Sequence, residues 1–372
     1  MRPLLLLILS LIVNAVQAED IDIFTASGSR NPSPPNVLII MDNSANWSSP
    51  LANTGMSRGQ AELVALKTAI NQLVCQSSNP IKLNVGLMMI QPDKGDYSNT
   101  SNGTGGFIRR AVLPLTKERC AVFTEDLDFL SNNTQSPTLK AADNANYGNL
   151  MLEAFKYFGG FTNPAKAHSE AGGGVARHTG FGNLRFSLST ANHGLEDHLA
   201  FADAPANTQY RSPIMSATSE ACCEVNHILF VGNAWPNNDY EDYSILKTTL
   251  NYPFDSAPLS AAFPFLKSGT QPTHISDAWA KFLATTDVSN ASGQQTVTTS
   301  VIDVAYSKDQ TSLLKSMARN GGGHYYSTTG SLSELASSYQ AFFTEVNAQN
   351  SVFTQPALAQ SSTYRGADQN QI

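Results

Sequence analysis

The chain has 372 residues, ample for a sizeable core, and its length admits one large domain or two modest ones. Charged residues make up 14%, well under the roughly 25% of an ordinary soluble protein, and the formal net charge of -7 comes without any run of Lys or Arg. A nucleic-acid partner is excluded, because no basic stripe exists to displace counterions from phosphates.

Met1-Arg2 supplies a positive end, Leu4 to Val13 an apolar stretch and Val16-Gln17-Ala18 a small-residue cleavage site, the three parts of a secretory signal peptide over residues 1–18. That apolar run is too short to span a bilayer, and no later segment is apolar enough to cross one. Export would place Cys75, Cys120, Cys222 and Cys223 in an oxidising environment, where structural disulfides are expected. Four cysteines allow three pairings, and the sequence chooses none of them. The adjacent Cys222-Cys223 suits a vicinal bridge or two separate bridges better than a pair of metal ligands, and no C-x-x-C occurs.

A linker over 19–36, ending in Ser33-Pro34-Pro35, leads into the strand Val37 to Met41. Its unbroken apolar run fits a parallel strand covered on both faces. Ser57-x-x-Gln60 is a capping-box pattern, and Leu63, Leu66, Ile70 and Leu73 after it form the stripe of an amphipathic helix. Val85 to Ile90 is a second strand, parallel to the first by right-handed crossover. Phe107 to Val112 reads as a short strand open to antiparallel pairing, and Tyr147 to Phe158 as a helix stopped by Gly159-Gly160. Gly103-Thr104-Gly105-Gly106 precedes a strand rather than a helix and is a poor phosphate cradle.

Periodicity is lost over an insertion of about 159–222, then regular alternation resumes. His227 to Val231 is a strand, Asp277 to Leu283 lies in a helix and Thr298 to Ala305 is a strand. Leu313 to Met317 belongs to a helix capped by Asn320-Gly321, His324 to Ser327 is a strand, and Ser331-x-x-Glu334 starts a last helix. The expected fold is α/β and doubly wound: a mostly parallel central sheet flanked by helices over residues 37–348. Residues 349–372 have no helical stripe and read as a linker towards a C-terminal domain that the chain does not contain.

In a doubly wound sheet, ligands bind beyond the carboxyl ends of the strands. Asp42 stands there, followed by Ser44 and Asn46, with Trp47 and Ser48 beside them. One carboxylate with neutral oxygens at alternate positions suits Mg²⁺ or Ca²⁺. A structural role for Asp42, accepting backbone N–H groups of its own turn, explains the same residues without a metal. Trp47 reads as a contact aromatic or as a lid packed on the fold, with packing the favoured of the two.

Asp42-x-Ser44-x-Asn46 resembles the first loop of the metal-ion-dependent adhesion site of von Willebrand factor A domains, whose usual pattern is Asp-x-Ser-x-Ser. The helix and strand around Asn320-Gly321-Gly322-Gly323-His324-Tyr325-Tyr326 are similar to the end of those domains. More narrowly, the chain looks like the N-terminal region of the PilY family of type IV pilus tip-associated adhesins and biogenesis factors. That likeness is carried by Phe155-Lys156-Tyr157-Phe158-Gly159-Gly160, Asn226-His227-Ile228-Leu229-Phe230-Val231-Gly232-Asn233, Asp277-Ala278-Trp279-Ala280-Lys281-Phe282 and Asn350-Ser351-Val352-Phe353. The resemblance implies export through the inner membrane to the periplasm and then the cell surface or pilus tip. It further implies adhesion and support of pilus assembly, with minor pilins and host-surface ligands as partners, and a β-propeller after the tail.

Two family ligands are missing: the loop before Tyr147 holds Asn146 but no Thr, and Val231 is followed by Gly232-Asn233 where Asp-Gly is usual. The candidate metal ligands are therefore Asp42, Ser44 and Asn46, with Asn233 and Asp239 as possible additions, and the candidate contact residues are Trp47, Ser48, Asn146 and Trp235. Few carboxylates imply weak or no metal binding. Two alternatives stand beside a binding module. One is a purely structural assembly component without ligand binding. The other is a secreted hydrolase using the His-rich insertion (His168, His178, His193 and His198), although no G-x-S-x-G surrounds Ser44 and no H-E-x-x-H occurs.

Overall fold

Strand β1 (Asn36–Met41) is buried at every position because alternate side chains enter two different cores. Val37, Ile39 and Met41 point into one hydrophobic cluster, and Leu38 and Ile40 into the other. The computed structural model describes residues 33–52, 54–90, 106–136, 139–140, 147–161, 196–204, 209–214, 225–234, 236, 246, 275–289, 293–304, 308–328 and 331–352. Residues Ser33–Asn350 form one compact unit; a second unit comprises the two chain ends, of which only Ser351 and Val352 are described.

Five further strands follow: β2 (Asn84–Ile90), β3 (Gly106–Pro114), β4 (Asn226–Gly232), β5 (Val297–Val304) and β6 (Gly322–Thr328). They form one six-stranded sheet in the order β3-β2-β1-β4-β5-β6. All pairings are parallel except β2 with β3, which is antiparallel. The Val37 face is covered by α1 (Arg58–Ile70), α2 (Lys117–Asn132) and α6 (Leu332–Val352). The Leu38 face is covered by α3 (Tyr147–Gly159), α4 (Ser276–Thr285) and α5 (Lys308–Asn320). Helices on both faces of a sheet whose order reverses at β1 meet the expectation of a doubly wound, mostly parallel α/β domain.

Local chemistry sets the helix starts. Ser57 accepts from the Gln60 N–H and Ser331 from the Glu334 N–H, as the two box patterns predict. Helix α2 is absent from the sequence reading, although Thr116 caps it and Cys120, Phe123, Leu127 and Leu130 are its buried stripe. Helix α6 runs on to Val352, past the expected linker start at Gln349. After α5 the left-handed residue is Gly322 rather than Gly321.

The described end of the insertion is more than a surface decoration. Phe201, Tyr210 and Ile214 are buried in the Leu38-side core. Asp197 accepts from the Ala111 N–H and donates its own backbone N–H to the Ile108 carbonyl, so this segment covers the outer edge of β3. Cys75 and Cys120 form a disulfide between the end of the first helical segment and α2. Cys222 and Cys223 lie outside the described residues.

His227 on β4 is 2% exposed, packs edge-on against Phe342 of α6 and leaves Nε2 without a partner. Burial pushes its pKa down to about 4, with Glu345 opposing. A folded pKa below the unfolded one means stability that is full above about pH 6.5 and falls as pH drops towards 4. By pH 5 the wild type should have lost about 2 kcal/mol more than His227→Gln in urea titrations compared with pH 7. Parallel losses in the two proteins would refute this account of His227.

Candidate functional site

The order of the sheet reverses between β1 and β4, so the loops leaving these strands diverge at their carboxyl ends, the place where ligands bind in folds of this kind. Asp42 and Asn233 are the residues at that point. The Asp42 N–H continues the ladder to the Val231 carbonyl at 3.0 Å, and the Asn233 side chain returns a bond from Nδ2 to the Asp42 carbonyl at 2.6 Å. Asn46 Nδ2 donates to the Asn233 carbonyl at 3.1 Å, tying the first-loop turn (Ala45–Ser48) to the same place. Asn43 faces β2 instead: its amide bonds the Ile90 N–H and the Ile90 and Leu139 carbonyls, replacing the ladder where β2 ends.

The Asp42 carboxyl is fully buried. Its Oδ1 accepts from the Ser44 N–H at 2.9 Å; Oδ2 faces the Tyr147 hydroxyl at 2.6 Å and, at 3.4 Å, the Asn233 N–H. Burial raises its pKa above the usual carboxylate range, against the lowering effect of those donors. Tyr147 Oη also lies 2.8 Å from the Ala234 carbonyl and accepts from the Ala234 N–H at 3.2 Å. A phenol has one proton, so it serves Asp42 or the Ala234 carbonyl. Were Asp42 protonated, it would donate to Tyr147 and leave the phenol proton for the Ala234 carbonyl.

From the opposite layer, Glu62 of α1 reaches the same loop. It is fully buried and its Oε1 accepts from Asn233 Nδ2 at 3.1 Å. Burial, reinforced by the nearby Asp42 charge, pushes its pKa up to about 8, while Asn233 and Arg58 oppose. Asn233 Oδ1 is buried without a hydrogen-bond partner, whereas the Ser44 side chain faces the Asp42 carboxyl and the Trp47 side chain faces the Glu62 carboxyl, each lowering that group's pKa. An unsatisfied buried acceptor costs free energy, on the order of 1–3 kcal/mol, which a cation or an added donor relieves.

The sequence candidates divide accordingly. Asp42, Ser44, Asn46 and Asn233 converge in one place. Trp47 is fully buried against Gly59, where even a Cβ would strike its indole, so it packs as a lid and offers no exposed contact surface. Ser48 is half-buried, its carbonyl accepting from Gln135. Asn146, Trp235 and Asp239 lie outside the described residues, as do His168, His178 and His193; His198 is exposed. Glu62 and Tyr147 were missed as site residues. Glu62 carried a signal, since it stands four residues before Leu66 and eight before Ile70, on the buried stripe of its helix. Among the described residues no group of three or more His, Cys, Asp or Glu could hold a metal, so neutral oxygens must complete any donor set.

No family profile and no curated protein matches the sequence. Solved structures overlap it in part. A point mutant of the minor pilin PilB from Streptococcus sanguinis shares 9% identity, with 88% of this chain and 64% of that chain covered at a TM-score of 0.42. A von Willebrand factor type A structure from Catenulispora acidiphila shares 9%, covering 85% and 43% at 0.37. An aerotolerance-related membrane protein from Bacteroides fragilis shares 10%, covering 84% and 98% at 0.37. Overlaps this loose add nothing to what strand order and direction establish.

Proposed function

We propose that this chain is a binding module rather than an enzyme: an exported von Willebrand factor A-like domain serving adhesion and assembly of type IV pili. Its partners on this reading are minor pilins at the pilus tip and host-surface ligands, as the PilY-like sequence stretches imply. The observation that carries the reading is the β1/β4 switch point, where the buried Asp42 carboxyl meets Asn233, whose Oδ1 has no hydrogen-bond partner. No helix among the described residues is long and apolar enough to cross a membrane.

The donor set of Asp42, Ser44 and Asn233, with Asn46 alongside, is made of hard oxygens and fits Mg²⁺ or Ca²⁺. A cation there would neutralise the buried carboxylate and fix the first-loop turn to the loop after β4. Because Asp42, Ser44 and Asn233 are all buried, the cation on this reading stiffens the loops rather than bridging to a partner's acidic group. Contact with the partner then falls to the loops around this buried site. A second reading is favoured by the Tyr147 contact: the hydroxyl and a protonated Asp42 close the site as a metal-free hydrogen-bonded knot.

Calorimetric titration of Mg²⁺, Mn²⁺ and Ca²⁺ separates the two. Wild type should bind with a Kd of roughly 10⁻⁴–10⁻³ M, the range of extracellular Ca²⁺ modules, and Asp42→Ala should give no heat. Flat traces from both proteins leave the metal-free knot. Adhesion is tested separately, by measuring affinity for purified minor pilins and host matrix. Loss of surface pili on deletion with no such affinity would instead support a purely structural role, and turnover of a substrate panel that depends on Ser44 or His198 would support a hydrolase.

A further inference from the structure

We propose that Glu62 is a positioning residue that fixes which way the Asn233 amide is turned beside Asp42; as a statement about cation binding, this rests on the cation reading above. The amide has a donor end and an acceptor end, and the two are distinguished only by their surroundings. Nδ2 lies 2.6 Å from the Asp42 carbonyl and 3.1 Å from Glu62 Oε1. The backbone carbonyl can only accept, and the Glu62 oxygen accepts as a carboxylate or through its C=O when protonated. Both amide protons are therefore committed, one to each oxygen.

Turning the amide over would set Oδ1 against two oxygens and leave both Nδ2 protons elsewhere. The lock comes from opposite layers of the fold: β1 supplies one acceptor and α1 the other. Its consequence is that Oδ1 must point away from Glu62. That atom is buried and has no partner, while the remaining polar groups of Asn233 are used: its N–H faces Asp42 and its carbonyl accepts from Asn46.

Family resemblance leads one to expect an acidic ligand at the loop after β4, and the residue there is neutral. An Asp would offer an oxygen whichever way it turned. An Asn offers one in only one of two orientations, so a residue that enforces the orientation is required. Glu62 meets the requirement from a helix 171 positions away in sequence. Its Oε1 accepts from Asn233, the Trp47 side chain also faces its carboxyl, and Arg58 and Tyr339 stand in its electrostatic surroundings.

The test compares wild type, Glu62→Gln and Glu62→Leu by Mn²⁺ titration and by the side-chain amide ¹H–¹⁵N resonances of Asn233 in metal-free protein, after circular dichroism confirms each fold. Glu62→Gln keeps an acceptor and should hold Mn²⁺ affinity within about threefold, with Asn233 amide protons still slow to exchange. Glu62→Leu should lose about 10–100-fold in affinity, the usual effect of removing a residue that orients a ligand, and should expose those protons to exchange. Should Glu62→Gln also lose affinity to that degree, Glu62 is itself a ligand and the positioning role is wrong. Unchanged affinity and protection in Glu62→Leu, or its failure to fold together with unprotected Asn233 protons in wild type, would likewise overturn it. Flat Mn²⁺ traces in wild type with Glu62-dependent protection of the amide remove the cation while leaving the positioning in place.

Discussion

Replacing Asp126 by Ala should cost about 3–5 kcal/mol of folding stability, read as a lowered urea midpoint. Asp126 sits on the inner face of α2 at 1% exposure and meets Arg109 of β3, itself fully buried, through a two-bond fork: Nε to Oδ2 at 3.0 Å and Nη2 to Oδ1 at 2.5 Å. Arg110 adds a third contact at 3.0 Å. Removing the carboxylate leaves the Arg109 guanidinium buried away from water without the Asp126 counter-charge. The double change Arg109→Met with Asp126→Leu should recover most of the loss, because hydrophobic replacements of a whole buried pair are often neutral. Equal midpoints for wild type and Asp126→Ala would show that the pair is solvated in solution.

Loss of the Cys75–Cys120 disulfide should be the second large effect. The bond joins residues 45 apart, and the chain-entropy relation for a loop of that size gives roughly 4 kcal/mol of unfolded-state restriction, with measured values generally about 2–4. The loop encloses β2 and β3, so the crosslink holds the antiparallel edge of the sheet close to α1 and α2. The variant with Cys75→Ser and Cys120→Ser, or reduced wild type, should unfold at a correspondingly lower urea concentration. Peptide mapping under non-reducing conditions provides the direct check, and a Cys75 peptide linked to Cys222 or Cys223 would refute the pairing.

Both effects bear on the Asp42–Asn233 site through the same layer. Helices α1 and α2 share the core on the Val37 side, and α1 carries Glu62 to Asn233. A loosened α1 would therefore weaken the loop after β4 before it weakens β1. Gly59 has a place in this arrangement: a Gly in the first turn costs helix propensity, yet the Trp47 indole occupies the space of a side chain there. The first-loop lid and the helix carrying Glu62 are thus packed directly against one another.

Much of this was legible along the chain. Unbroken apolar runs marked the central strands, because a strand covered on both faces has no polar side to show. Box patterns at Ser57 and Ser331 located two helix starts to the residue, since the capping bond is local. The change from antiparallel β3 to a parallel remainder was open to reading from segment lengths and crossovers. Helix α2 escaped because its stripe is interrupted by charge: Asp126 occupies a buried position that periodicity assigns to an apolar residue, and only Arg109, 17 positions earlier on another element, makes that position tolerable.

The sequence by itself determined the α/β class, the strand positions and the placing of Asp42, Ser44 and Asn46 at a strand's carboxyl end, because these depend on side-chain periodicity and nearest-neighbour chemistry. Tertiary structure alone decided that Asn233 meets Asp42, that Tyr147 and Glu62 arrive from opposite faces, that Trp47 is interior and that Cys75 pairs with Cys120. Those contacts join residues far apart in the chain, and strand order, which no local pattern encodes, sets which loops become neighbours.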